Sequence, residues 1–263
     1  MNTPGRSPSA DASARGPRRA YSATWMRRIA VLACALAIVA SLWKAMERAR
    51  EAARWSQCYG DFQGIALALH NYEAAHGSLP PAYLTDAGGR PTLSWRVLIL
   101  PQMGSDSLYN AFNLSEPWDG PTNIRLLGRM PGGYACPNRY DEVGAGLTKC
   151  VALTGPGTMF PGASPARFAD VTDGLGGTIM LAEVEGLDVP WTAPVDLDVR
   201  TMGLGVNARG RPGISSPHPA GPAVTLGDGS IRFVRRGIAP EVLRALITVD
   251  GGERPDLGPA LWR

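Results

Sequence analysis

Residues 29–76 read IAVLACALAIVASLWKAMERAREAARWSQCYGDFQGIALALHNYEAAH, and the fold follows from how this stretch is understood. It contains no proline, and it passes from an uncharged run, Ile29 to Trp43, into a pattern in which Trp55, Cys58, Phe62, Ile65, Leu69, Tyr72 and His76 recur at spacings of three and four. That spacing puts the seven residues on one helical stripe. Arg54, Gln57, Asp61, Gln63 and Glu73 are assigned to the opposite, solvent side. One continuous helix is therefore predicted, its first half apolar all round and its second half amphipathic. Gly60 and Gly64 weaken the second half intrinsically, so packing must hold it. Pro80 and Pro81 stop it after an exit at Gly77 and Ser78.

The uncharged run is somewhat short for a hydrocarbon layer of roughly 30 Å at about 1.5 Å per residue, and its flanks supply the difference. Trp25 and Trp43 lie about 27 Å apart along a helix, at the levels where amphipathic rings settle, while Arg27 and Arg28 can snorkel. Residues 25–46 are thus expected to cross a membrane and to contact its lipid. Arg6, Arg15, Arg18, Arg19, Arg27 and Arg28 face only Asp11 before the end of that basic flank. This bias keeps the N-terminus inside. The expected protein is single-pass in the inner (cytoplasmic) membrane, with a disordered cytoplasmic tail at 1–24 and residues 47–263 in the periplasm or outside. A cleaved secretory signal is the competing reading. Against it, Ala40, Ser41, Leu42, Trp43 and Lys44 offer no small-x-small site, and Cys34 falls inside the apolar run, not at its end.

A chain of 263 residues with 44% apolar content has room for one ordinary domain plus an anchor. Its 32 glycines and 23 prolines predict a loop-rich domain with short strands. The net charge of +3 does not suggest a nucleic-acid partner. Outside the membrane Cys58, Cys136 and Cys150 can oxidise, and three thiols form at most one internal bridge. No Cys-x-x-Cys pair is present and the histidines are His70, His76 and His218, so no metal or cofactor is expected. Asp170, Asp173, Glu183 and Glu185 form the densest acidic cluster, of a kind that suits Ca²⁺, but without EF-hand spacing.

Beyond the helix, Thr92–Met103 reads as a short helix or a buried strand, and Ser107–Leu114 and Asn123–Met130 as short helices. Strands are predicted at Cys150–Leu153, Thr178–Val184, Ala223–Leu226 and Ser230–Val234. The last two, joined by Gly227-Asp228-Gly229, form a hairpin, and a short helix at Pro240–Ile247 follows.

His218, nine intervening residues and then Asp228-Gly229 resemble the His-x9-Asp-Gly signature of a bacterial family of unknown function, prepilin-like proteins with an N-terminal anchor. Cys58 with GIALALHNYEAAHGSLPPAY (Gly64 to Tyr83), LSWRVLILP (Leu93 to Pro101), EPWDGPTN (Glu116 to Asn123), YACP (Tyr134 to Pro137), ALTGPGTMFPG (Ala152 to Gly162) and VPWTAPVDLD (Val189 to Asp198) are similar to its successive blocks. The resemblance implies an α+β, type IV pilin- or pseudopilin-like architecture, in which the outer half of a long N-terminal helix packs on an antiparallel sheet with long Gly/Pro-rich loops. Prepilin-type members carry a glycine before the hydrophobic segment and a glutamate inside it. Here Arg28 precedes Ile29, and no acid falls between Asp11 and Glu47, which implies a permanently anchored protein. Cys58 and Cys136 both sit in family blocks, so the resemblance favours a Cys58–Cys136 disulfide; Cys136–Cys150 is the sequence-local rival.

The family has no established activity to transfer. His218 is expected to cap or hydrogen-bond the hairpin that carries Asp228, and Asp228 to form its turn. The leading expectation is a membrane-anchored structural or interaction protein, not an enzyme, that presents its domain to a secretion or pilus-like assembly in the envelope. A ligand-binding module for a glycan or peptide, with Trp95, Trp118 and Trp191 as platforms, is the alternative. A hydrolase using His218 with Asp228, Ser215 or Ser216 comes third, since no Gly-x-Ser-x-Gly elbow is present.

Overall fold

The computed structural model describes residues 23–135, 144–253, 258, 261 and 262. The expectations for the tail before residue 23 and for Cys136 lie outside these residues. The chain forms two compact units, Met1–Glu51 and Ala52–Arg263.

Helix α1 runs from Ala23 to His76, as predicted, without interruption. In the first unit its apolar side chains point outward: Trp25, Val31, Leu32, Leu36, Val39, Leu42 and Trp43 are all more than half exposed. The helix is long and apolar enough to cross a membrane, and no part of its most apolar window is buried. So much contiguous apolar surface is unfavourable in water and calls for lipid or a partner.

In the second unit α1 becomes one-sided. Cys58, Phe62, Ile65, Ala66, Ala68 and Leu69 are buried. The stripe is shorter than its sequence period, because Trp55 and His76 are exposed and Tyr72 is half-buried. Trp55 nevertheless stacks on Phe233 at 4.8 Å between ring centroids, so one of its faces still contributes. The helix ends where expected: Gly77, at φ +75°, donates its N–H to Glu73 O. Only glycine takes that left-handed conformation at little cost.

Strands β1 (Tyr83–Thr85) and β2 (Pro91–Ser94) form an antiparallel pair. The apolar segment that read as helix or strand is both, since β2 passes directly into the one-turn helix α2 (Trp95–Leu98), with Ser94 Oγ accepting the Arg96 N–H. A second one-turn helix, α3 (Asp106–Tyr109), and a 3₁₀ stretch at Asn123–Arg129 stand where short helices were expected.

The remaining strands are β3 (Leu147–Thr148), β4 (Cys150–Thr154), β5 (Ile179–Glu183), β6 (Val189–Pro190), β7 (Leu197–Asp198), β8 (Ala223–Leu226) and β9 (Ile231–Phe233), followed by α4 (Pro240–Ala245). Five of them make one sheet in the order β7-β4-β5-β8-β9. Every neighbouring pair in it is antiparallel except β4 and β7, which run parallel, so the sheet is mixed where an antiparallel one was expected.

Period-two alternation gives this sheet two apolar faces. Cys150, Ala152, Met180, Ala223, Ile231 and Phe233 pack in one cluster with Cys58, Phe62, Ile65 and Leu69 of α1. Val151, Leu153, Ile179, Ala182, Val224 and Leu226 form the other, with Leu243 of α4 and Leu246 and Ile247 just beyond it. The second unit is therefore an α+β domain with its sheet buried on both sides, the long N-terminal helix covering one and the C-terminal segments the other.

A buried ion pair joins α2 to this sheet. Arg96 is fully buried, and its Nη2 donates to Asp196 Oδ1 at 2.6 Å. Its Nε and Nη2 also donate to Cys150 O at 3.0 and 2.8 Å, and Nη1 to Ser94 Oγ at 2.8 Å. Asp196 Oδ1 in turn accepts the Ala152 N–H at 2.7 Å and Trp95 Nε1–H at 3.3 Å. Burial pushes the Asp196 carboxyl up, and the Arg96 guanidinium pulls against it. Removing one member of such a pair strands the other charge in the core. Asp196→Ala is expected to lower unfolding free energy by about 3–5 kcal/mol, read from the urea midpoint of the detergent-solubilised chain.

Candidate functional site

A second set of buried polar side chains lies where α1 meets the end of β5. Glu183 is the last residue of β5 and pairs in register with Cys150, the first of β4. Its side chain is 2% exposed. Oε1 accepts the hydroxyl of Ser216 at 2.7 Å and Oε2 the N–H of Ala223, the first residue of β8, at 3.1 Å. Burial raises the Glu183 pKa, and the hydrogen bonds and His218 oppose that rise.

His218 is 2% exposed and sits in the loop leading into β8. Its backbone N–H reaches Ser216 Oγ at 3.1 Å, and its carbonyl accepts the Gly221 N–H at 3.0 Å. The loop is tied back to β5 by the Ser215 N–H on Glu183 O at 3.0 Å. The Cys58 sulfur, a Glu183 oxygen and a His218 ring nitrogen all lie within 4.8 Å of one another. Sequence reasoning missed this set. It judged metal chemistry by local cysteine spacing, whereas these donors come from a helix, a strand end and a distant loop.

Beside it a cavity of about 10 Å³ is lined by Cys58, Asp61, Phe62, Tyr134, Lys149, Cys150 and Glu183. Asp61, assigned from sequence to the solvent side of α1, turns its carboxylate inward instead. It lies three residues from Cys58, so the two share a flank of the helix. Its Oδ2 is a buried oxygen with no hydrogen-bond partner, and burial raises its pKa to about 6. Cys150 is a free, buried thiol pushed up to about 12 by the same desolvation. The expected Cys58–Cys136 bridge lies outside the described residues.

The two ends of the His-x9-Asp-Gly segment occupy opposite ends of β8. His218 is with Glu183 at the start of the strand, and Asp228 is in the turn after it. The hairpin turn is held by its own groups: Asp228 Oδ1 accepts the Ser230 N–H at 2.9 Å, and Leu226 and Ser230 close the loop at 2.9 Å. Gly229 sits at φ +82°, and a Cβ there would come 3.3 Å from His70 Nε2. An open groove of about 550 Å³ runs between this turn and Gly60, Gly64 and His70 of α1.

Other sequence candidates separate. Trp95 and Trp191 are fully buried and Trp118 is half-buried against the core, which removes Trp95 and Trp191 as ligand platforms. Asp170 pairs with Arg167 at 2.6 Å, and Asp173 accepts the Gly251 and Gly252 N–H groups, so they do not converge with buried Glu183 on one Ca²⁺ site. Ser215 Oγ donates to Gly213 O at 2.8 Å.

Residues 47–158 match the model of a family described as a protein of unknown function (DUF1559). The DUF1559 match takes in the outer half of α1 with Cys58 and Asp61, the Arg96 segment and β4. It ends before Glu183, His218 and Asp228. No curated protein and no solved structure matches the chain.

Two outcomes follow from this geometry. Because the Asp61 pKa in the fold lies above its ordinary 3.8, the folded state binds the proton more tightly than the unfolded chain. Stability should therefore fall as pH rises from about 4 to about 6. In chelator-treated protein, Asp61→Asn should flatten that part of the melting temperature–pH curve. Gly229→Ala forces an L-residue into the left-handed region and should lower stability by about 1–2 kcal/mol in urea unfolding.

Proposed function

We propose that the chain is a permanently anchored, single-pass membrane protein that presents residues 47–263 on the far side of the inner membrane as a pseudopilin-like structural or interaction subunit. The observation that carries this reading is a single helix of two characters. Its first part is apolar and exposed over Ile29–Trp43, and its last turns supply one wall of a domain core. The DUF1559 match and the family blocks are in keeping with a prepilin-like relative. The basic flank at Arg27 and Arg28 favours an inside N-terminus.

The proposed task is contact with a secretion or pilus-like assembly, with membrane lipid as the other partner. The open groove beside Asp228 and Gly229 is the concave surface such a domain would offer.

Membrane fractions decide the first part. The full chain is expected to stay in the pellet through an alkaline wash, and a chain lacking residues 1–46 to remain in the supernatant. Protease added outside intact spheroplasts should remove residues 47–263 and leave the tail protected. Release of the full chain by the wash, or protection of the domain, would overturn the reading. Crosslinked capture of the tagged full chain, with the anchorless chain as control, tests the assembly. Recovery of the chain alone in both would sink it.

A further inference from the structure

Cys58, Glu183 and His218 bring a thiol, a carboxylate and an imidazole together inside the core, at 5%, 2% and 2% exposure. Their donor atoms lie within 4.8 Å of one another. We propose that these three residues form a structural zinc site that fastens α1 to the sheet.

The donor set is the first argument. Sulfur, nitrogen and carboxylate oxygen together suit a borderline-soft divalent ion, and zinc takes such mixtures in tetrahedral geometry. Donors around zinc stand about 3.3–3.8 Å apart, so the widest pair closes by about 1 Å on binding.

The second argument is orientation. Ser216 Oγ and the Ala223 N–H hold the two oxygens of Glu183, and each oxygen keeps a lone pair for a metal. Ser216 is itself fixed by the His218 N–H. This is the supporting shell that metal-binding carboxylates ordinarily have.

The third argument is the adjoining cavity of about 10 Å³, lined by Cys58, Asp61 and Glu183. Asp61 presents there a buried oxygen that has no hydrogen-bond partner. The cavity has room for about one water, through which Asp61 completes the fourth position. Lys149 lines the same cavity and is the competing cation for these carboxylates.

On binding, the Cys58 S–H bond breaks, its proton goes to solvent, and sulfur bonds zinc as a thiolate. A ring nitrogen of His218 donates its lone pair, and any proton on that nitrogen leaves to solvent with that of the thiol. No oxidation or reduction is involved. The three segments joined are α1, the end of β5 and the loop before β8, so the ion would tie the start of the domain to its last hairpin.

The test uses the full chain in mild detergent with a tag that contains no histidine, isolated without added reductant. Elemental mass spectrometry should find about one zinc per chain, and chelation should release it and lower the melting temperature. Cobalt replacing zinc should give a thiolate-to-metal absorption band that is lost in Cys58→Ser. In Ser216→Ala the thiolate band remains, and metal affinity falls about 10–100-fold. That variant leaves all the ligands in place and guards against a misfolded Cys58→Ser.

Three results would overturn the site. One is folded protein with no bound zinc and no cobalt band. The second is a cobalt spectrum unchanged by both Cys58→Ser and His218→Ala, which would mean adventitious metal. The third is Cys58 recovered by non-reducing peptide mapping in a disulfide.

Discussion

The second unit depends on one desolvated ion pair. Arg96 reaches from α2 to Asp196 and to the Cys150 carbonyl, and Asp196 answers with the Ala152 N–H. These contacts tie the first residues of β4 to Asp196, the residue before β7, and Cys150 in turn sets the level of Glu183 across the ladder. Tyr134, fully enclosed beside it, donates its hydroxyl to Arg96 O at 2.9 Å. The guanidinium thus does what an extended backbone ladder would do elsewhere. It holds short strands in register where the chain provides few residues to pair.

Much of this architecture was legible in advance because it is local. The continuous helix, its stop at Gly77, the hairpin around Asp228 and the strands at Cys150 and Ala223 are written in periodicity and turn chemistry. What was not legible depends on remote pairing. Nothing near Leu197 announces that it will lie parallel to β4, and the second apolar face of the sheet shows only once α4 is folded onto it. Arg96 stood out only as a charge inside an apolar run. Its partner lies about a hundred positions away, so this buried ion pair had no local signature.

The candidate site divides in the same way. Asp228 and Gly229 behave as their sequence context says, because an Asp-Gly turn is a local object. His218 does not pair with its motif partner, since a strand separates them, and its neighbours are set by where β5 ends. Asp61 was misplaced by treating the stripe on α1 as one residue wide. A position three residues from a buried cysteine belongs to the same flank, and its carboxylate is drawn in with it.

The stacking of Trp55 on Phe233 has a kinetic side. The Trp55 end of the apolar flank of α1 finds its cover in β9, far along the chain. Deeper along α1, Cys58, Phe62, Ile65 and Leu69 also cluster with Cys150, Ala152 and Met180 of β4 and β5, whereas the Trp55 contact requires closing a loop that spans most of the domain. Contacts so distant in sequence form slowly. The Trp55 end of α1 is therefore covered later than the turns that meet β4 and β5.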